Sequence, residues 1–305
     1  MIALFGGSGL VGSNLIDCIG KMFAPRSSEV NLLDRSAIKN FFDSNPIDTV
    51  IMAAGIVGGI VDNNARPYDF ISDNLEMGFN VIREAAMNEN IVRVLYLGSS
   101  CIYPKECPQP MKEEYLLTGQ LEQTNYAYAV AKIACHTICR AWNQQFGTRK
   151  FKTLMPTNLY GPYDTFDERR SHVIPALIKK FHDAKMENKL VVKLLGDGSP
   201  LREFLYAHDL ARGVLLTLYC WETLPDMINI GSGDEISIRD LAQLVSDVVG
   251  YKGEIKFDKD QKMNGTSRKL VDSSFIRSIG WTPQIDIVTG LKVTYKWFRN
   301  KQGME

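Results

Sequence analysis

Along the chain, short stretches in which almost every position is apolar alternate with longer stretches whose apolar residues recur every three or four places. Met1–Phe5, Thr49–Ala54, Val92–Leu97, Lys152–Pro156 and Met227–Ile230 are of the first kind. Continuous apolarity over so few residues fits strands covered on both faces, as in parallel sheets. Pro67–Met87 and Asn125–Gln145 carry the helical period, and Leu10, Val11, Leu15 and Ile16 begin it directly after the first run. Strands alternating with helices imply βαβ crossovers. The expected class is α/β: a doubly wound Rossmann-type parallel sheet, with a second strand near Met22–Pro25.

After Gly161 the rhythm changes. A charged loop, Asp164 to Arg170, precedes a helix over Val173–Lys185 and a strand over Val191–Leu194, and Ser237-Ile238-Arg239-Asp240 reads as a capping box opening a helix to Val249. These parts predict a smaller, discontinuous C-terminal lobe. The expected division is a dinucleotide-binding domain over 1–160 and about 203–232, with a substrate lobe over about 161–202 and 233–305.

Charge narrows the partners. Thirty-five basic residues balance thirty-five acidic ones, so no net field draws the chain to nucleic acid or to an anionic membrane, and any anion site must be local. The longest apolar run, Val50–Val61, is broken by glycines and falls short of the roughly 20 residues a membrane span needs. The chain opens without a signal-peptide pattern, and its six cysteines are scattered, which leads us to expect reduced thiols and a cytoplasmic location. Cys135, His136 and Cys139 raise the question of a metal, but a structural zinc takes four ligands and nothing near in sequence completes the set, so the reading is packing and no metal.

Two constellations carry chemistry. Gly6-Gly7-Ser8-Gly9-Leu10-Val11-Gly12 is G-x-x-G-x-x-G between a strand and a helix. That context suits a dinucleotide pyrophosphate lying on a helix N-terminus. The end of the second strand offers Arg26-Ser27-Ser28 rather than a carboxylate, favouring NADP over NAD, although a small shift of strand boundary would bring in Glu29. Ser99 follows the strand ending at Leu97, and Tyr128 and Lys132 lie four apart on one helix face. A neighbouring cation favours phenolate, so Lys132 is expected to lower the pKa of Tyr128 and make it a usable acid/base.

Together the glycine loop, the strand-end serines and Tyr128/Lys132 resemble the extended short-chain dehydrogenase/reductase family. The segments Asn31–Asp34, Val57–Ile60, Gly98–Pro104 (GSSCIYP), Pro156–Pro162 (PTNLYGP), Ser171–Pro175 (SHVIP), Arg202–Phe204 and Arg268-Lys269 look like its GDP-L-fucose synthase members. The resemblance runs from the first strand to about residue 282. It implies an NADPH-dependent enzyme that takes GDP-4-keto-6-deoxy-D-mannose or a close GDP-sugar, inverts C3 and C5 and reduces C4. It also implies a homodimer built on the helices near 76–88 and 125–145, although burial inside one chain would explain the same apolar faces.

The resemblance assigns roles residue by residue. Ser99, in preference to Ser100, and Tyr128 meet the C4 oxygen, and Lys132 meets the nicotinamide ribose. Gly6, Gly9, Leu10, Val11, Gly12, Arg26, Leu33, Asp34, Ala53, Pro156 and Thr157 line the cofactor. Asn158 positions the sugar, and Arg202 and Lys269 take the diphosphate. Cys101 and His172 are the pair for the inversions. A thiol near 8.5 and an imidazole near 6.5 bracket neutral pH, as a two-sided proton exchange requires. Taken without the resemblance, Cys101 reads equally as a packing cysteine and His172 as a loop anchor. Other readings are a GDP-4-keto-sugar reductase, an NAD-dependent nucleotide-sugar 4-epimerase, or a non-catalytic NADP-binding regulator. One departure from the family stands out: Leu195 precedes Gly196-Asp197-Gly198 where a tryptophan is usual.

Overall fold

A computed structural model describes residues 1–167, 170–258 and 264–303. The elements run β1 (Ile2–Phe5), α1 (Leu10–Ile19), α2 (Arg35–Ser44), β2 (Thr49–Met52), α3 (Ile60–Ala65), α4 (Pro67–Met87), β3 (Arg93–Leu97), α5 (Tyr126–Phe146) and β4 (Phe151–Pro156). There follow β5 (Asn158–Tyr160), α6 (Val173–Met186), β6 (Val191–Leu194), β7 (Leu201–Tyr206), α7 (Ala207–Tyr219), β8 (Met227–Ile230) and β9 (Glu235–Ser237). The chain closes with α8 (Ile238–Val249), β10 (Glu254–Phe257), β11 (Arg268–Lys269), α9 (Ser274–Ser278) and α10 (Ile287–Lys301).

The main sheet is parallel throughout, in the order β1-β2-β3-β4-β8. Because side chains alternate across a strand, each apolar run feeds two cores. Ala3, Phe5, Val50, Met52, Val94 and Tyr96 face α2, α4 and α5, where Ile38, Val81 and Cys135 close the layer. Leu4, Ile51, Leu95 and Leu154 face the other way, onto Leu15 of α1 and Leu210 and Val214 of α7. The sheet is thus doubly wound, as its sequence pattern predicts.

The second strand is a correction. Met22–Pro25 contributes a single bridge, Phe23 beside Ala3, with Leu4 N–H donating to Phe23 O and Phe23 N–H to Ile2 O. Pro25 has no N–H to extend the ladder. The chain then turns, with Glu29 and Val30 N–H both on the Arg26 carbonyl.

A further core gathers Tyr160, Ile174, Phe181, Val192, Phe204, Leu241, Val245, Leu291 and Phe298. It lies under the parallel pair β6–β10 and the sheet β11-β7-β5, to which β9 adds antiparallel. Ser237 caps α8 as expected, accepting Asp240 N–H at 3.0 Å. Glu168 and Arg169 of the charged loop lie outside the described residues.

Candidate active site

The glycine loop has the shape a pyrophosphate needs. Gly6 adopts φ +90°, and a Cβ there would fall 2.6 Å from Ala54 N, while one on Gly12 would fall 2.1 Å from Gly6 O. Loop, α1 and the end of β2 therefore approach backbone to backbone. Ala53 lies against Gly6 and donates its N–H to Phe5 O at 2.9 Å. The first turn of α1, with Leu10 and Val11, has neither a side-chain cap nor an acidic residue, so its N–H groups and positive dipole end are free for an anion.

The other cofactor positions are more mixed. Arg26 is exposed, but its own N–H donates to the Glu29 carboxylate at 2.7 Å, so the carboxylate the sequence left open does sit in the Arg26 turn. The Asp34 carboxylate is spent as the cap of α2, accepting from Ser36 and Ala37 N–H, beside an exposed Leu33. Pro156 ends β4, and Thr157 N–H donates to Ile230 O at 3.1 Å. Asn158 donates its side-chain amide to the Glu203 carbonyl at 2.9 Å.

At the C-terminal end of β3 the reactive groups converge. A Cβ on Gly98 would lie 2.1 Å from Met155 Sδ, so only glycine lets β3 and β4 stay close as the chain leaves the sheet. The next residues form a 3-10 turn, Ser100–Ile102, and Ser99 Oγ accepts Cys101 N–H at 3.2 Å. Ser99 also lies beside the Tyr128 phenol. Ser100 is buried, whereas Ser99 is half-buried. Lys132, one turn along α5, is buried, donates 2.9 Å to the Leu97 carbonyl and sits 5.8 Å from the Tyr128 ring centroid.

The electrostatics correct one expectation. Burial, then the neighbouring Cys101, push the Tyr128 phenol up, and Ser99 beside it only partly offsets this. Lys132 does not bring it down. Burial instead brings the lysine's own pKa down to about 8. Tyr128 is accordingly a neutral phenol at working pH, suited to giving a proton.

From the second core, Arg202 on β7 and Lys269 on β11 stand directly across from each other. Lys269 Nζ reaches Cys101 Sγ at 3.9 Å, and Arg202 lies close enough to Cys101 to feel its charge. His172 is the N-cap residue of α6, and burial alone pushes its imidazole down. Its neighbour Ser171 touches the glycine loop before α3: a Cβ on Gly59 would lie 3.0 Å from Ser171 O. Ser99, Cys101, Tyr128, Lys132, Arg202 and Lys269 thus form one connected group, to which the structure gives His172 no direct bond among the described residues. Leu195 is exposed on the Gly196–Gly198 turn.

Sequence reasoning missed Glu203. Its fully buried carboxylate accepts from Gly233 N–H at 2.7 Å and Val271 N–H at 3.1 Å, tying β8, β7 and β11 behind the site. A carboxylate inside the apolar run Leu201–Tyr206 is the signal that marks it. The cysteine–histidine group on α5 packs: Cys135 abuts Gly78 of α4, and His136 Nδ1 shares a 3.0 Å hydrogen bond with Thr153 Oγ1.

The chain is similar to known proteins in sequence and in fold. The NAD dependent epimerase/dehydratase family model matches residues 2–231. GDP-L-fucose synthase of Escherichia coli (strain K12) is 46% identical over 282 residues, covering 90% of this chain and 87% of that one. GDP-L-colitose synthase of Yersinia pseudotuberculosis is 38% identical over 305 residues, 99% of this chain and 98% of that one. Among solved structures, MlghC, a GDP-mannoheptose C4 reductase from Campylobacter jejuni with NADP bound, superposes with a TM-score of 0.88 at 32% identity, covering 98% of both chains. The chain belongs to the NAD dependent epimerase/dehydratase family and, within it, to the family of GDP-L-fucose synthases.

Proposed function

We propose that the chain converts GDP-4-keto-6-deoxy-D-mannose to GDP-L-fucose, inverting C3 and C5 and reducing C4 with NADPH. The observation that carries this is the placing of a thiol, Cys101, beside a neutral phenol, Tyr128, with Ser99 next to both. A reductase alone needs only the phenol. The thiol adds a group that can exchange protons with carbon.

The residues present fit NADP. The uncapped start of α1 and the close-packed glycines accept a pyrophosphate, and Arg26 offers a cation for a 2′-phosphate. When bound, the nicotinamide supplies a hydride to C4. Tyr128 gives its proton to the C4 oxygen, and Ser99 hydrogen-bonds that oxygen as its charge changes. Lys132 takes the ribose. Cys101 and His172 exchange protons at C3 and C5 from opposite faces, the C4 carbonyl stabilising each carbanion as an enolate. Arg202 and Lys269 meet the diphosphate, and Asn158 and the Pro156-Thr157 turn border the sugar and nicotinamide.

The segments over about 161–202 and 233–305 serve as the substrate lobe on a dinucleotide-binding domain of 1–160 and about 203–232, with Tyr160 and Phe204 of that domain reaching into the lobe's core. A cytoplasmic homodimer is part of the reading. Among the described residues no helix is long and apolar enough to cross a membrane, and α4 and α5 leave Tyr68, Phe79, Met87, Tyr126 and Phe146 exposed for a partner copy.

The test is turnover in D₂O with NADPH and GDP-4-keto-6-deoxy-D-mannose. The expected product is GDP-L-fucose carrying solvent deuterium at C3 and C5. Cys101→Ser should instead release GDP-rhamnose slowly, because the ketone survives uninverted until hydride removes it. His172→Gln should let deuterium enter without full inversion. Wild-type product that is GDP-rhamnose would reduce the activity to a C4 reductase, and absence of NADPH oxidation would leave a binding protein.

A further inference from the structure

The 3.9 Å approach of Lys269 Nζ to Cys101 Sγ joins a residue expected at the diphosphate to the group that handles carbon-bound protons. The lysine is not a loose surface cation. Its strand pairs in parallel with β7, Lys269 opposite Arg202. The chain just beyond it is pinned at three points: Leu270 N–H on Gln109 Oε1 at 2.9 Å, Met111 N–H on Leu270 O at 2.7 Å, and Val271 N–H on the buried Glu203 carboxylate at 3.1 Å. The side chain is therefore delivered to the sulfur from a fixed backbone.

The other groups around Cys101 leave this position to Lys269. Arg202, the second cation nearby, already donates to the carbonyls of Leu201 at 2.8 Å and Asn264 at 3.1 Å. Glu122, the carboxylate on that side, is paired with Lys105 at 3.3 Å and with Thr266 Oγ1 at 3.3 Å. Tyr128 contributes a neutral phenol, and Ser99 occupies the Cys101 N–H rather than its sulfur. Among the described residues, the cation in hydrogen-bond contact with the thiol is the Lys269 ammonium.

We infer that Lys269 is a positioning residue for the inversions: its ammonium holds Cys101 as a thiolate aimed at the sugar, in addition to any hold on the diphosphate. This rests on the reading of Cys101 as the proton-exchange group. A free thiol is mostly protonated at neutral pH, and only the thiolate can remove a proton from carbon. In the step, the thiolate takes the proton from C3 or C5. The C–H electron pair passes into the ring and onto the C4 oxygen as an enolate, the sulfur becomes a neutral thiol, and the lysine stays an ammonium throughout.

The experiment measures Cys101 alkylation by iodoacetamide at pH 7, residue by residue with mass spectrometry, in the NADP-loaded enzyme, for wild type, Lys269→Met, Lys269→Gln and Lys269→Arg. Two unit charges about 4 Å apart interact enough, even at the dielectric of water, to change the thiolate population about sixfold. Lys269→Met and Lys269→Gln should slow Cys101 alkylation by at least that factor. Lys269→Arg should restore it, and in Lys269→Met and Lys269→Gln the ratio of deuterium entered at C3 and C5 to NADPH oxidised should fall in step, with GDP-rhamnose a rising share of the product. Unchanged alkylation with a raised KM alone would overturn the inference and leave Lys269 a diphosphate ligand. If Cys101→Ser still yields fully inverted sugar, the reading of Cys101 itself has failed, whatever the alkylation rates show.

Discussion

Asp164 offers a quantitative test of the burial argument. The residue is 4% exposed, one carboxylate oxygen accepts Thr165 N–H at 2.8 Å, and the other, Oδ2, has no partner among the described residues. Burial lifts the carboxyl from 3.8 to about 7, against the Thr165 hydrogen bond. An acid whose folded pKa is raised keeps the fold's full stability below its unfolded value and loses it as pH climbs toward the folded one. At about 1.4 kcal/mol per tenfold in proton affinity, the raised carboxyl costs the fold about 2 kcal/mol at pH 5, where the folded group is held protonated, and about 4 kcal/mol above pH 7, where it ionises. Asp164→Asn removes that charge. The substitution retains an oxygen for Thr165 N–H but leaves an unpartnered amide donor, a pH-independent penalty of about 1–3 kcal/mol. What the structure dictates is therefore the difference: the Asp164→Asn variant should gain about 2.5 kcal/mol relative to the wild type between pH 5 and pH 8. For a chain of this length that is a shift of about 4 °C in ΔTm. Thermal melts of both proteins at the two pH values read it. A ΔTm that is the same at pH 5 and pH 8 would refute the placing of Asp164 as a buried, half-satisfied carboxyl.

Three further outcomes follow from particular contacts. Tyr128→Phe should retain NADPH binding, seen by fluorescence titration, while turnover falls about 10²–10⁴-fold, the range for a positioned general acid; near-native reduction would remove Tyr128 from that role. Gly78→Ala puts a Cβ 2.4 Å from Cys135 Sγ and should destabilise by about 1–3 kcal/mol in urea melts. Adding Cys135→Ala should recover most of that loss, and a purely additive double variant would contradict the contact. Arg26→Ala should weaken NADPH more than NADH in parallel titrations; equal weakening would show that Arg26 does not reach the 2′-phosphate.

Much of the fold was legible because parallel strands covered on both faces are written as unbroken apolar runs. β2, β3, β4 and β8 each fall within or one residue from the stretch that announced them. The bridge at Phe23 was harder: a short segment ending in proline reads as a strand by composition, but cannot sustain a ladder without the Pro25 N–H. The site was legible in its local pieces, the glycine loop and Tyr128/Lys132, because spacing along one helix or one loop fixes their relations. Its long-range pieces were not. The meeting of Lys269 with Cys101, 168 residues apart, and the Glu203 clamp depend on the register of β7 against β11 and β9, which no local pattern states. The balance between burial and the Lys132 charge at Tyr128 was misjudged for a similar reason, since depth in a fold is a sum over elements far apart in sequence.

The Glu203 clamp also orders events during synthesis. By the time residue 160 has left the ribosome, β1 to β4 and the helices between them have emerged, and α7 and β8 follow to cover and complete the sheet. Glu203, however, brings a carboxylate to a fully buried place, and its partners are the N–H groups of Gly233 and Val271. Until residue 271 emerges that carboxylate has no full set of donors, and β11 cannot deliver Lys269. At about 5–20 residues per second, the nascent chain spends several seconds with a formed nucleotide-binding sheet and an unformed reactive centre. A chain cut short before β11 has neither the Lys269 ammonium nor the Val271 N–H, and its Glu203 carboxylate stays short of a donor.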